Sequence, residues 1–224
     1  MNQISRIKPV RAGRPTKEQA EARHAELLDR ALDHFLDKGY EQATIEGIAA
    51  DVSMTKRTVY ARYDDKASLF LAAVRRAIVR YSISQDRIEA TRVADLAETL
   101  TNIAMLRINL IAEPEGLKLQ RIINTESYRF PKILGYSYVL GAKPTIDFLA
   151  SVLEEETAAG RLAIDDCGRA ANVFLTMVAS APVRFITSGI PLADDELHEH
   201  VAFAVQLFLE GAKPRREGAK GEMQ

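Results

Sequence analysis

The chain has no tryptophan and a single cysteine in 224 residues. That lone thiol, Cys167, excludes an intramolecular disulfide and supplies no metal cluster. Long apolar runs are missing as well: none approaches the about 20 residues that a membrane span requires. The N-terminus does not read as a signal peptide, because Arg6, Lys8 and Arg11 have no apolar stretch behind them. A soluble, cytoplasmic protein that makes no membrane contact is therefore expected. No segment sustains the period-two alternation of a half-buried strand, so no sheet is expected. The four histidines are scattered, and His198-Glu199-His200 lacks the i, i+4 spacing that puts two ligands on one helical face. Phosphate-cradling glycine loops and nucleophile elbows are absent too. The expectation is no enzyme, no metal and no cofactor.

What is present is helical periodicity and an uneven charge. The formal net charge of −1 hides fifteen Lys and Arg against eleven Asp and Glu in residues 1 to 80, with the acidic surplus beyond. Positive charge of this kind suits a polyanionic partner. Its densest run is the leader RIKPVRAGRP, where proline and glycine forbid a helix before residue 16. The leader reads either as a solubilising tail or as a basic arm for a neighbouring minor groove.

The segment TIEGIAADVSMTKRTVYARYDDKASLF from Thr44 carries the most information. Thr44 is a good N-cap, and Ile45, Ile48, Ala49 and Val52 repeat behind it at helical spacing. Ser53-Met54 breaks the pattern; a second helix runs from Thr55 through Tyr63, and Asp64-Asp65 opens a third. At 100° per residue Val59 and Tyr63 point one way, toward a core, so Arg57, Thr58 and Ala61 point the other. Lys56 and Tyr60 fall on one flank, with Thr55 and Arg62 on the other. This is the form of a helix-turn-helix whose second helix enters a major groove. Arg57 is then placed to read a guanine edge, Thr58 and Ala61 to touch base edges, and Thr55, Lys56 and Tyr60 to meet the phosphate walls, with Thr44 at the head of the preceding helix also expected at the DNA. Glu46, in the first turn of the first of these helices, either accepts from a cytosine amino group or helps the helix start; the second reading is preferred.

These residues resemble the TetR family of one-component transcriptional regulators. The family's second helix opens on Ser or Thr, here Thr44. Its third carries Lys-x-Thr-hydrophobic-Tyr, here Lys56 to Tyr60, and an aromatic-x-x-Lys signature opens its fourth, here Tyr63 to Lys66. The resemblance implies that Lys66 binds phosphate. Two departures stand out, Ser53 and Arg57, at positions where the family usually has glycine. The first asks a non-glycine residue to accept the turn at a cost on the order of 1 kcal/mol. The second adds a bidentate donor that should alter operator preference.

Around this motif the reading is all-α. A first helix over 16–38 carries a stripe of Leu27, Leu28, Ala31, Leu32, Phe35 and Leu36 and stops at Gly39. Further helices are expected over 65–83, 93–112, 116–128, 131–140, 142–159, 166–187 and 194–212, with Pro182 kinking its helix near Val178. The organisation predicted is a basic arm (1–15), a three-helix DNA-binding domain (16–64), a larger helical effector and dimerisation domain (65–212) and a disordered tail (213–224). GluSerTyrArgPhePro at 126–131, Gly141 and the GlyArgLeu that opens at Gly160 resemble AcrR-like and AefR-like effector domains.

The last two helices are apolar on more of their circumference than one packing face needs, which points to a second copy of the chain. Phe174, Met177, Val178, Phe185, Val201, Val205 and Phe208 are predicted at a homodimer interface, the four-helix bundle the resemblance implies. A cavity among the middle helices is expected to hold a small hydrophobic or amphipathic effector, with Arg107, Asn109, Arg121, Asn124 and Tyr128 as candidates to orient it. The function expected is a ligand-released repressor on a palindromic operator in double-stranded DNA. An activator of the same fold, or a redox-responsive regulator acting through Cys167, are the alternatives.

Overall fold

The computed structural model describes residues 16–214, so the basic leader 1–15 and the tail from 215 onward lie outside the described residues. The described residues contain no strand. Eleven α-helices follow one another: α1 (Lys17–Gln42), α2 (Ile45–Asp51), α3 (Lys56–Tyr60), α4 (Lys66–Arg80), α5 (Gln85–Glu89), α6 (Leu96–Ala112), α7 (Pro114–Glu126), α8 (Lys132–Tyr136), α9 (Lys143–Ala158), α10 (Cys167–Thr187) and α11 (Asp194–Ala212). A π-helix, Ser137–Ala142, joins α8 to α9. The chain divides into two compact units, one ending at Ala73 and the other beginning at Val74, and the division falls inside α4.

In the first unit, α1 starts on a capping box: Thr16 Oγ1 accepts from Gln19 N–H at 3.2 Å and Gln19 Oε1 accepts from Thr16 N–H at 3.0 Å. Gly39, at φ 77°, interrupts its helical backbone near the end. The predicted stripe is only partly core, with Leu27, Leu28, Ala31 and Phe35 buried and Leu32 and Leu36 half-buried. Phe35, Tyr40 and Phe70 form an aromatic cluster, Phe70 meeting the other two edge-on at 4.8 and 5.2 Å between centroids. Ile45, Ile48, Val59 and Leu69, each at most 3% exposed, close the core around it. Burying one such side chain contributes about 1.5–3 kcal/mol, which is what holds helices as short as α2 and α3 in place.

In the second unit α10 is the central helix, packing against α6, α9 and α11. Phe174, Val178, Ile103, Leu149 and Val201 lie at its centre with no exposure. By length and composition α10 could cross a membrane, and it is the only described helix that could. Pro182 sits inside it and is buried. Proline has no N–H, so the carbonyl one turn back, Val178 O, loses its helical donor. His200 Nε2 of α11 donates to that oxygen at 3.1 Å. The turn ahead of Pro182 is therefore a place where two helices are joined, and His200 has a structural task.

Three elements depart from expectation. The run expected as one helix over 131–140 is the short α8 followed by the π-helix. The helix expected from 93 starts at Leu96, and the separate turn α5 precedes it. Finally, α6 and α7 meet at a corner in which Glu113 caps both. Gly116 makes that corner possible, because a Cβ there would lie 2.3 Å from Leu110 O and 2.8 Å from Ile111 O.

Candidate functional site

The candidate nucleic-acid surface is built on α2, α3 and the turn between them. Thr44 Oγ1 accepts from Gly47 N–H at 3.2 Å and caps α2; Thr55 Oγ1 accepts from Thr58 N–H at 3.1 Å and caps α3. The Thr55 and Thr58 hydroxyls also bond each other at 2.8 Å. Ser53, the only described non-glycine residue at positive φ, takes φ 51° in the turn, so the conformation usually given to glycine is adopted by a residue with a Cβ.

Val59 is fully buried and anchors α3, while Lys56, Arg57, Thr58, Tyr60 and Ala61 are exposed around it. Tyr63, half-buried, is held from the other side by a 2.5 Å hydrogen bond with His24 Nε2 of α1. The helix is shorter than expected, ending at Tyr60, with Ala61 as its C-cap. The Arg57 side chain forms no hydrogen bond or ion pair among the described residues. Its guanidinium is available to an outside partner.

Two cations behave differently from expectation. Lys56 is ion-paired with Glu46, ten residues earlier, and lies 5.5 Å from the Tyr60 ring centroid. The hydrogen bond from Lys56 holds the Glu46 carboxylate below its usual pKa, and the same bond raises that of Lys56. Glu46 thus holds the Lys56 ammonium within the fold, a role beyond starting its helix. Lys66 is the clearer correction. Its ammonium donates to the carbonyls of Tyr40, Glu41 and Ala43 at 2.8, 3.0 and 3.2 Å and sits 4.5 Å from the Tyr40 ring centroid. All three of its donors are used inside the fold, so Lys66 fastens the end of α1 to α4 and is not free to bind phosphate.

Candidate binding spaces in the second unit include an open depression of about 730 Å³ lined by Gln85, Glu89, Arg92, Pro144, Asp147, Phe148 and Ser151, which holds none of the residues predicted to orient an effector. A cavity of about 70 Å³ is lined by Ile78, Tyr81, Arg107, Leu110, Leu119, Ile123 and Gly141, among others. A more open groove of about 380 Å³ runs between Ile108, Asn109, Ile186 and Leu197. Of the five residues predicted to orient an effector, Arg107 alone lines the cavity, and Asn109 lines the groove. Arg121, Asn124 and Tyr128 are exposed, Tyr128 to 94%, and are corrected to surface residues. Arg121 and Asn124 lie on the side of α7 that faces away from its buried Ile122 and Ile123, and Tyr128 lies beyond the end of that helix. Burial pushes the Arg107 pKa down.

The predicted homodimer set divides as well. Phe174, Val178, Val201 and Val205 are at most 4% exposed and belong to the core of their own unit, so they are removed from the interface. Met177 and Phe208 are half-buried, and Phe208 packs on Phe174 at 5.0 Å between centroids. The apolar residues left in the open on α10 and α11 are Val173 (54%), Phe185 (40%), Phe203 (67%) and Leu207 (54%). Cys167 is buried, which argues against a redox role. Among the described residues no group of three or more His, Cys, Asp and Glu could hold a metal.

Comparison with known proteins matches both units. Residues 27–73 match the model described as bacterial regulatory proteins, tetR family, and residues 98–211, half of the chain, match the AefR-like transcriptional repressor, C-terminal domain. A curated relative, the uncharacterized HTH-type transcriptional regulator YezE of Bacillus subtilis (strain 168), is 27% identical over 106 residues. That match covers 47% of this chain and 54% of the relative, about half the relative's length. Among solved structures, the flavonoid-responsive regulator FrrA is 27% identical with a TM-score of 0.70, over 88% of this chain and 100% of FrrA. A TetR transcriptional regulator from Agrobacterium tumefaciens shares the fold, with a TM-score of 0.64 at 20% identity over 87% and 96% of the two chains. With its helix-turn-helix and its helical second unit both matched, the chain belongs to the TetR family of transcriptional regulators and is not an enzyme.

Proposed function

We propose that the protein is a homodimeric repressor that binds a palindromic operator through α3 and is released by a small amphipathic effector held in the second unit. One observation carries the DNA-binding part: Val59 is buried while Arg57, Thr58, Tyr60 and Ala61, its neighbours along α3, are exposed. Two such helices about 34–36 Å apart would enter successive major grooves. The corrected contact set is Thr44, Thr55, Lys56, Arg57, Thr58, Tyr60 and Ala61, without Lys66. An effector acts by preferring one conformation of the dimer over the other. The 27%-identical flavonoid-responsive regulator supports an amphipathic one.

The test is a binding titration on duplexes selected from the upstream region of the gene. Arg57→Ala should relax preference at one position of each half-site at a cost of about 1–3 kcal/mol there, whereas Tyr60→Phe should weaken all sequences alike. Equal loss on every sequence for Arg57→Ala overturns the assignment.

A further inference from the structure

Arg107 occupies an unusual position. It lies near the end of α6 with its guanidinium in the cavity described above, in surroundings where desolvation lowers its pKa. A guanidinium has five N–H donors. Here a single hydrogen bond accounts for them, from Nη1 to Gly141 O at 3.3 Å. Among the described residues Arg107 has no ion pair, and the cavity wall contains no Asp or Glu. Arg107 is half-buried; a cation partly withdrawn from water without a counter-charge is unfavourable, and arginine stays charged at neutral pH rather than giving up its proton. One part of the wall is aliphatic, with Ile78, Leu110, Ile111, Leu119 and Ile123, and its polar members besides Arg107 are the uncharged Tyr81, Ser82, Gln120 and Ser137. The acceptor that Arg107 does hold, Gly141 O, belongs to the π-helix Ser137–Ala142, an irregular turn of the kind that often marks a functional site.

We propose that the effector of this protein is a small amphipathic carboxylic acid, bound as its anion, whose carboxylate pairs with Arg107 while its apolar body lies against the aliphatic wall. This rests on the effector-released reading above and names the chemical class that reading leaves open. A planar carboxylate matches the fork of a guanidinium with two parallel hydrogen bonds. A neutral ligand of the same shape leaves the charge as it is. The cavity holds about 70 Å³, so a larger body must move its wall. The π-helix, tethered by a lone 3.3 Å bond to the group the ligand engages, is the part of the wall placed to yield.

The experiment is calorimetry on the full-length protein with three matched pairs: benzoate and benzamide, cinnamate and cinnamamide, octanoate and octanamide. At least one acid should bind about tenfold or more tightly than its amide, the gain expected of a charge-assisted hydrogen-bonded pair. Arg107→Met, which keeps most of the side-chain volume, should bring acid and amide to within about twofold, on the same scale. The proposal is overturned if no acid binds, if amides bind as well as acids, or if Arg107→Met keeps the acid preference. The comparison within the wild type stands even if the variant does not fold. A parallel operator titration separates this from the broader reading. Acids that bind without loosening DNA leave the Arg107 pairing intact and overturn effector release, whereas DNA released only by compounds that ignore Arg107 does the opposite.

Discussion

At the scale of single residues, the DNA-facing surface is shaped by two side chains whose partners lie outside their own helices. Glu46 holds Lys56, an exposed pair that contributes little to folding but, on the proposed DNA-binding reading, keeps one cation from phosphate. Glu46→Gln should raise affinity for every duplex about two- to fivefold and steepen the dependence of log K on log salt by about one. Fluorescence anisotropy across a salt series measures both. An unchanged slope would mean that Lys56 reaches phosphate with Glu46 still in place. Ser53 bears a strained turn at φ 51°. Ser53→Gly should stabilise the first unit by about 1 kcal/mol, read as a higher denaturant midpoint with an unchanged slope.

At the scale of elements, the join between α10 and α11 makes a sharper prediction. His200→Leu strands the Val178 carbonyl that Pro182 deprives of its helical donor, which should cost about 1–3 kcal/mol. In a Pro182→Ala background the new N–H can serve that carbonyl, so the same His200→Leu change should cost clearly less. A double-mutant cycle in chemical denaturation gives the coupling, and additive costs would refute the link. Elements were the most legible level in the sequence. Apolar spacing and the breaks at Gly39, Pro114, Gly160 and Gly189 place the long helices closely. The turn α5 and the π-helix left no such trace, because five or six residues are too few to show a period. Long-range pairings were hidden for another reason. Lys66 finds its acceptors 23 to 26 residues earlier in the chain, and backbone carbonyls look the same in any sequence.

At the scale of the whole molecule, the surplus apolar surface on α10 and α11 was legible, but which side of each helix carries it was not. Helices apolar most of the way round give no phase, so Phe174, Val178, Val201 and Val205 read equally well as core or as contact. The folded chain separates them from Val173, Phe185, Phe203 and Leu207. If those four meet a second copy, Phe203→Glu should give a monomer by sedimentation equilibrium while the helical signal persists, and affinity for a two-half-site operator should fall about a hundredfold or more. A dimer that survives Phe203→Glu together with Leu207→Glu would place the contact elsewhere.

The corner at Gly116 bears on any attempt to retune this regulator as a sensor for new compounds. Even an alanine there would drive its methyl into the backbone oxygens of Leu110 and Ile111, and main chain cannot rotate aside as a side chain can. Position 116 would have to stay fixed in a library that diversifies the chamber wall. Leu110, Leu119 and Ile123, whose side chains can trade volume with one another, are where new specificities should be sought.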